Sequence, residues 1–486
     1  MKEKVINKMS IKNYSFFKDF SWYFLGSIIP LLIGFIKTPV FTRHFNKEAY
    51  GYLGLVTITF SYLGMILFSW IGSCVWRYYN KYEANNSLKT LYSNLFFLYV
   101  IAFVVLFIAT TFWYFLAEYQ LVKQLIYFSF FQLILNQLFL FYMVIIRLKG
   151  NAVFYTVFQS IRALLSLIAA LILVFVYQVN ISALISSLVL IDALAIIFLA
   201  IFNPADIQFN FKFINKQNLK ELLHYGSAGL IINIGFLVIA SSDRYIIALL
   251  SSLESVGIYD QVYKISQLSL VALVTIYFNT VNPSLLKVLE TNFENSIQHI
   301  KNHIAVFIFL GLPIVTYLSL FSKDLAYIFL GPEFRPGYSM MPFIFIAAYL
   351  HGISNFFELR LKFSDKLKRL GLIVVIMAIF NIILNYIFVS SFGYKLAAVT
   401  TTITYIFLIA AFHFYDRNIL AISKENTIKL FKIIIVLALQ IMAYYVVVQL
   451  YELNIFLKIF IGLLFVFTYI IIFKNLLLET IRSIYN

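Results

Sequence analysis

An aspartate and an arginine stand side by side inside a long apolar stretch of the sequence, at Asp243 and Arg244. The segment GLIINIGFLVIASS precedes them and YIIALL follows them. Because an ionised side chain is costly in hydrocarbon, such residues normally face a bundle interior or a hydrated cavity. There an arginine can pair with a phosphate, and a carboxylate can bind a cation. These two residues are the first candidates for a functional site.

Other basic residues lie within apolar runs or at their ends. They include Lys37 in the first run and Arg43 at its end, Arg77 at the end of the second, Arg162 in the fifth, Lys264 in the eighth and Arg360 after the tenth. Guanidinium groups pair with phosphate through two hydrogen bonds, and lysine acts as a point charge. Together with Arg244 they predict a cationic cavity that holds a diphosphate headgroup. Snorkelling of the long side chains at helix ends is the simpler explanation for Arg77 and Arg360.

Three more charges are candidates for ion coupling or gating: Asp243, Asp260 and Lys264. Asp243 lies about 25 Å along a helix that starts near Gly226, which places it in the outer third of a membrane. It is the candidate site for a coupling proton or sodium ion, although pairing with Arg244 counts against this role. Asp260 and Lys264 are four residues apart on one helix face, so mutual neutralisation is the alternative explanation for them.

The composition is that of a protein that crosses a membrane many times. Of the 486 residues, 62% are hydrophobic and 12% are charged, against about 45–50% and 25% in soluble domains. The net charge of +16 comes from basic residues between apolar runs, so it reflects membrane topology and predicts no nucleic-acid partner. Cys74 is the single cysteine, which excludes a disulfide framework. The sequence has no phosphate-binding GxxxxGK[ST] loop, and we expect no cofactor.

Fourteen apolar runs are long enough to cross a bilayer core of about 30 Å. They lie at about 20–42, 51–76, 91–117, 125–146, 152–177, 181–202, 224–250, 257–284, 302–322, 338–359, 370–390, 396–415, 430–450 and 455–473. With the N-terminus on the cytoplasmic side, 25 of the 37 Lys and Arg residues fall on that side and 6 on the other, and the remaining 6 lie inside the apolar runs. This imbalance predicts that both termini are cytoplasmic.

An internal repeat relates the two halves of the chain. A shift of 201 residues places Thr42-Arg43 on Asp243-Arg244, and a shift of 206 places Glu48-Ala-Tyr-Gly51 on Glu254-Ser-Val-Gly257. Both copies start on the same side of the membrane, so the repeat predicts two six-helix bundles related by a pseudo-two-fold axis along the membrane normal. The predicted segments are a basic cytoplasmic N-terminus 1–19, bundles 20–202 and 224–415, a linker 203–223, and a helix pair with a cytoplasmic tail at 416–486.

Four segments of the second half resemble a known family. They are SSDRYIIALL at 241–250, ESVGIYDQVYKI at 254–265, NPSLLK at 282–287 and FLGPEFRPGYSMM at 329–341. In their order, and with the fourteen-span layout, they are similar to the polysaccharide transporters, the Wzx-type O-antigen or capsule repeat-unit flippases. These form a branch of the multidrug/oligosaccharidyl-lipid/polysaccharide exporter superfamily. The resemblance supports Asp243 and Arg244 as cavity residues, and Arg43 less strongly.

The resemblance implies a flippase in a bacterial inner membrane. It would carry undecaprenyl-diphosphate-linked oligosaccharide from the cytoplasmic to the outer leaflet by alternating access, using a proton or sodium gradient in at least some members. Membrane lipids, a polysaccharide polymerase and a chain-length regulator are the expected partners. A cation-coupled multidrug antiporter of the same superfamily is the first alternative, but membrane-embedded basic residues outnumber acidic ones. A polytopic polymerase or acyltransferase is the second; the short outer loops argue against an enzyme.

Overall fold

The structure is a computed structural model. It describes residues 21, 22, 24–26, 28–202, 207–293, 296–363, 367–415, 424–450 and 455–485. The predicted N-terminal segment 1–19 lies outside these residues. The chain divides into two compact units, Met1–Arg244 and Tyr245–Asn486. Within the described residues both units consist of helices and their connections, without a strand. The prediction of an all-α fold is confirmed.

Eight long helices lie in the described part of the first unit. Their bounds are α1 Phe24–Thr42, α2 Lys47–Gly64, α3 Trp70–Ala84, α4 Leu88–Leu116, α5 Gln120–Leu148, α6 Ala152–Leu171, α7 Ala183–Phe202 and α8 Lys216–Ser241. A five-residue π-helix, Met65–Ser69, joins α2 to α3 without a break, and a second one, Ile172–Val176, extends α6. A short helix, α9 Asp243–Leu250, begins at the boundary between the units.

The second unit continues with α10 Leu253–Thr291, α11 Ser296–Leu320, α12 Ser322–Phe329, α13 Met341–Phe363, α14 Leu367–Phe392, α15 Ala397–Tyr415, α16 Lys424–Leu450 and α17 Ile455–Tyr485. A 3₁₀-helix, Pro332–Met340, connects α12 to α13. Within this unit α13 packs against α10, α11 and α15, while α16 and α17 pack against α11.

Thirteen helices of the described residues are long and apolar enough to cross a membrane. Each coincides with one of the fourteen predicted spans. The remaining span, at 257–284, falls within α10, a continuous helix of 39 residues. A helix of that length reaches about 58 Å at 1.5 Å per residue, nearly twice the bilayer core of about 30 Å. The sequence therefore located this helix, but the apolar run inside it is much shorter than the helix itself.

The helix pair α16–α17 is attached to α11 by hydrogen bonds inside an otherwise apolar contact. The Tyr317 hydroxyl on α11 donates to Gln440 Oε1 on α16 at 2.6 Å, and the Gln440 amide donates to the Phe465 carbonyl and to Thr468 Oγ1 on α17 at 3.1 and 3.0 Å. The Tyr469 hydroxyl returns to the Phe309 carbonyl at 2.7 Å. Because each polar group here has a partner, the pair can pack closely against the unit without leaving buried donors unsatisfied.

Replacing Tyr317 by phenylalanine is expected to lower the free energy of unfolding by about 1 kcal/mol, in the range measured for hydrogen bonds between membrane helices. The phenylalanine ring still fills the place of the tyrosine ring, so the loss reports the hydrogen bonding of the Tyr317 hydroxyl, to Gln440 Oε1 at 2.6 Å and the Phe465 carbonyl at 3.1 Å. Thermal unfolding of the detergent-purified protein measures it. Tyr445→Phe is the matched control, because Tyr445 is 62% exposed on α16. Equal unfolding midpoints for the two variants would contradict a role of this bond in holding the helix pair.

Candidate functional site

Asp243 and Arg244 form a buried ion pair at the break between α8 and α9. Arg244 Nη1 lies 2.8 Å from Asp243 Oδ1, and the two residues are 3% and 0% exposed, respectively. Arg244 Nη1 also donates to the Ala240 carbonyl in the last turn of α8 at 2.8 Å. Asp243 is the first residue of α9, where a negative charge is favoured by the helix dipole. The pair therefore stabilises the end of α8 and the start of α9, and its two charges neutralise each other.

The first half of the chain repeats this local structure where the sequence repeat predicts it. Arg43 Nη1 donates to the Pro39 carbonyl at 2.7 Å, four residues back, as Arg244 does to Ala240. Downstream, Asn46 caps α2 by accepting from the Ala49 amide at 2.9 Å, and Ser252 caps α10 by accepting from the Ser255 amide at 3.1 Å.

The two copies differ in what lies between the arginine and the cap. Two residues separate Arg43 from the cap Asn46, whereas seven, most of them in α9, separate Arg244 from the cap Ser252. The five additional residues account for the change of shift from 201 to 206. They also differ at the residue before the arginine. Thr42 is buried and donates to the Thr38 carbonyl at 2.7 Å, in the position that corresponds to the carboxylate of Asp243. Arg43 is exposed, whereas Arg244 is buried.

The other three predicted cavity residues lie in different surroundings. Lys37 is half-buried on α1, and Arg77 is exposed on α3 with its guanidinium 6.0 Å from the centre of the Tyr225 ring. In the second unit Arg360 is buried, with its guanidinium 4.7 Å from the centre of the Phe293 ring. A buried guanidinium over a ring makes a cation–π contact, so snorkelling into the lipid headgroups does not describe Arg360. It does fit the exposed position of Arg77.

Asp260 and Lys264 form an ion pair along α10. Lys264 Nζ lies 2.6 Å from Asp260 Oδ2, and the carboxylate side chain is 3% exposed while the lysine side chain is 43% exposed. The Gln261 amide also donates to Asp260 at 3.1 Å. In this geometry the two charges neutralise one another. Mutual neutralisation was the alternative to a role in ion coupling or gating that the spacing of the two residues offered.

A cavity of about 670 Å³ lies inside the first unit, away from all eight predicted site residues. Its wall is formed mainly by α2, the π-helix Met65–Ser69, α3 and α5. It exposes a set of uncharged hydrogen-bonding side chains: Thr57, Ser61, Ser69, Ser73, Ser129, Gln132, Asn136 and Gln137. Aromatic rings complete the wall, among them Phe68, Trp76 and Tyr99. Its size is typical of a small-molecule site, for which about 300–1,000 Å³ is usual.

Several polar groups of this wall are available to a ligand. Ser61, Ser69 and Ser73 donate their hydroxyl protons to carbonyls four residues earlier on their own helix, so their oxygens remain acceptors. The Ser129 hydroxyl has no hydrogen-bond partner in the described residues, but it is enclosed and would reach a ligand only after a movement of its neighbours. Gln132 and Gln137 likewise have no hydrogen-bond partner in the described residues, and an amide both donates and accepts. The wall thus matches a ligand rich in hydroxyl groups.

A buried ion pair stands behind this wall. Arg162 on α6 donates two hydrogen bonds to Asp192 on α7, from Nε to Oδ1 at 2.5 Å and from Nη2 to Oδ2 at 2.8 Å. The same Nη2 donates to Asn136 Oδ1 on α5 at 2.9 Å, and the guanidinium lies 4.2 Å from the centre of the Phe139 ring. Three helices are joined at this point. Asp192 is fully buried and neutralised, so it offers no free carboxylate to a cation in the cavity.

The sequence interpretation missed Gln132, Asn136 and Gln137 as site residues, although they are polar residues within the fourth apolar run. It recognised Arg162 and Asp192 as charges in two consecutive runs but did not predict that they pair. The prediction concentrated on charges because a phosphate was the expected ligand. No group of three or more His, Cys, Asp or Glu residues in the described part of the chain is arranged to hold a metal ion.

The chain is a multi-pass membrane protein built of helices, and its first unit contains a polar cavity. The sequence model of the family described as "Polysaccharide biosynthesis protein" matches residues 16–289. The chain belongs to this family, as its sequence resemblance predicted. A comparison with curated protein sequences gave no match.

Solved structures share the fold at low sequence identity. The "Lipid II flippase MurJ, inward closed conformation" is 14% identical, with a TM-score of 0.74 over 94% of this chain and 99% of that one. A multidrug resistance MATE family transporter of the MOP superfamily in its inward-facing conformation is 15% identical, with a TM-score of 0.57 over 81% and 94%. The Vibrio cholerae MATE transporter VcmN is 13% identical, with a TM-score of 0.58 over 85% and 98%. The predicted exporter-superfamily fold is confirmed.

Proposed function

We propose that this protein is a flippase for lipid-linked oligosaccharide. Its substrate would be an undecaprenyl-diphosphate-linked repeat unit, moved by alternating access from the cytoplasmic to the outer leaflet of a bacterial inner membrane for O-antigen or capsule assembly. The observation that carries the proposal is the hydroxyl- and amide-lined cavity of the first unit, in a chain of the polysaccharide biosynthesis family. The similarity to the lipid II flippase MurJ agrees with the proposal at the level of fold.

The chemistry of the cavity favours a glycan over a cationic drug. Sugar hydroxyls donate and accept hydrogen bonds, as the serine and glutamine side chains of the wall do. A cationic drug needs a carboxylate, and the buried carboxylate nearest this wall, that of Asp192, is held by Arg162 through two hydrogen bonds. Breaking that pair to bind a drug would leave Arg162 as an uncompensated buried charge, which is strongly unfavourable.

The diphosphate end of the substrate requires cations, and the basic residues predicted from the sequence remain the candidates. Arg43 and Arg77 are exposed and Lys37 is half-buried; Lys37 and Arg43 also have contacts within the chain, with which a phosphate would compete. Arg244 and Arg360 are buried and would need a change in their surroundings to do so. In this proposal the exposed cations attract the headgroup and the buried ones contribute only in another conformation.

A proton or sodium gradient would drive transport in this proposal, with Asp243 as the first coupling candidate and Asp260 and Lys264 as the second. Both carboxylates are ion-paired in this structure. A coupling cation would therefore have to replace the basic partner of the pair. In this proposal, therefore, ion binding and the conformational change that separates the pair occur together.

Deletion of the gene in its own bacterium is expected to cause loss of surface polysaccharide and build-up of lipid-linked repeat units in the cytoplasmic leaflet. The leaflet is identified by whether an added, membrane-impermeant glycosidase can cleave the glycan in intact spheroplasts. Expression of the wild-type chain should restore export and empty the pool. A matched strain lacking the initiating sugar-phosphate transferase is the control, because it makes no lipid-linked glycan.

The alternatives give different results in the same experiment. Repeat units that accumulate in the outer leaflet would indicate a defect in polymerisation, as expected if the protein were a polymerase. Unchanged surface polysaccharide together with increased retention of cationic drugs would indicate the antiporter. Either outcome would overturn the proposal of a glycan flippase.

A further inference from the structure

Helix α5 carries a row of amide side chains at four-residue intervals. Gln120, Gln124, Gln132 and Asn136 form the row, and Phe128 occupies the place between the two pairs. Residues four apart form a continuous ridge on a helix, inclined to its axis. The row extends over about 24 Å at 1.5 Å per residue, most of a bilayer core of about 30 Å.

Every member of the row lies on the wall of a cavity. Gln132 and Asn136 line the cavity of about 670 Å³ described above. Gln120, Gln124 and Phe128 line a second cavity of about 530 Å³ in the same unit. The two cavities thus follow one another along a single helix, and the amide row is the feature that runs through both.

The amide nitrogens of the row are unoccupied. Gln124 and Asn136 accept hydrogen bonds through their oxygens, from Asn180 at 2.9 Å and Arg162 at 2.9 Å. Within the described residues none of the four amide nitrogens donates one. In hydrocarbon an unsatisfied polar group costs several kcal/mol. No hydrogen bond within the described residues offsets this cost for the four amide nitrogens. These nitrogens must therefore face water or a ligand.

The second cavity has the composition of a carbohydrate site. Besides the amides of α5 it presents Gln178, Tyr114 and Tyr127, with Lys123 Nζ 5.9 Å from the centre of the Tyr114 ring. Gln178 holds a backbone φ of +53°, which is uncommon for a residue other than glycine and costs conformational energy. The turn at Gln178 therefore holds this side chain in place at a cost in backbone strain. Flat rings beside amides suit the apolar face and the hydroxyls of a sugar.

We infer that the α5 row is a saccharide track, along which the glycan passes from the larger cavity to the smaller one. The inference rests on the proposed function and names the path of the glycan within it. The ligand is a chain of neutral, hydroxylated sugars that exchanges hydrogen bonds from one amide to the next. By the excess of basic residues on the cytoplasmic side, the smaller cavity at the start of α5 is on the outer side, where the glycan is released.

Cysteine accessibility tests the track. In a Cys74→Ala background shown to restore export, Gln120→Cys, Gln132→Cys and Asn136→Cys are each treated with a charged, water-soluble thiol reagent in membranes. Phe131→Cys is the control on the same helix, since Phe131 is 38% exposed but lines neither cavity. We expect the row positions to react and position 131, facing lipid, to remain unmodified.

Occupancy by glycan is measured by comparing two strains. Membranes from cells that make lipid-linked repeat units should show row positions reacting roughly threefold more slowly than membranes from the strain lacking the initiating transferase, which corresponds to about two-thirds occupancy. Row positions that fail to react, or that react equally in both strains while the deletion strain still accumulates repeat units, overturn the track. A deletion strain with no accumulation contradicts the proposed function itself.

Gln178 allows a second measurement on the outer cavity. Gln178→Gly removes the amide and adopts φ +53° without strain, while Gln178→Asn keeps an amide and also tolerates this region. The rate of glycan export should fall about fivefold with glycine, as for one lost hydrogen bond, and change little with asparagine. Equal rates for the two variants would contradict a sugar contact at this residue.

Discussion

Replacing Arg162 by alanine is expected to cost about 3–5 kcal/mol of folding free energy, because it leaves a buried carboxylate without its partner. Asp192 is fully buried, and both its oxygens are bound by Arg162. Such a loss is comparable to the whole stability of many domains. The variant should accumulate poorly in the membrane and, once purified in detergent, unfold at a much lower temperature than the wild type.

Control variants show whether the loss of stability comes from breaking a buried ion pair or from removing any paired basic side chain. Lys81→Ala is the matched control, because Lys81 and Glu221 form an ion pair of similar length, 3.1 Å, with both side chains largely exposed. A surface pair contributes about 0–1 kcal/mol, so this variant should be close to wild type. Arg162→Met combined with Asp192→Leu, which removes both charges, should recover most of the stability. If Arg162→Ala were as stable as Lys81→Ala, the buried pair would not be holding the three helices together.

Asp243→Asn is expected to reduce glycan export severely, because it removes the negative charge of a buried ion pair. Arg244 is 3% exposed, and its Nη1 lies 2.8 Å from Asp243 Oδ1. A buried pair broken on one side loses about 3–5 kcal/mol, enough to change which conformation the helix break between α8 and α9 adopts. Export is measured as surface polysaccharide in the complemented deletion strain, and the amount of protein in the membrane is measured alongside.

The double variant Asp243→Asn with Arg244→Gln decides between structure and function. It restores a neutral, hydrogen-bonded pair, so it should fold close to wild type. If the charges act in transport, export stays low even though the protein is present. If export returns to the wild-type level, the pair only holds the helix ends and its proposed role in coupling or phosphate binding is wrong. Thr42→Asn, at the corresponding place in the first half, is the control.

The helices could be read from the sequence because crossing a membrane requires a long apolar run, and nothing else in the chain has that composition. Helix α5, for example, was predicted at 125–146 and extends from Gln120 to Leu148. The start of α8 was predicted less accurately. The helix begins at Lys216, before the apolar run at 224, because hydrogen bonding continues a helix into water after its apolar residues end.

Local ion pairs were also predictable, since helix geometry alone brings residues four apart together. Asp260 and Lys264 meet in this way at 2.6 Å. The pairing of Arg162 with Asp192 was not predictable. The two residues come from different helices, 30 positions apart, and only the packing of α6 against α7 brings them within hydrogen-bonding distance. The orientation in the membrane, the inner-membrane location and the symmetry of two six-helix bundles stay predictions.

The sequence by itself determined the class of protein, its helices, its family and the repeated arginine motif at Arg43 and Arg244, because these depend on composition and on short local patterns. Only the tertiary structure decided which polar residues face a cavity. A glutamine in an apolar run is equally compatible with a helix contact and with a hydrated wall until the neighbouring helices are in place. That is why the amide row of α5, written plainly in the sequence, became a candidate path only when two cavities were found along it.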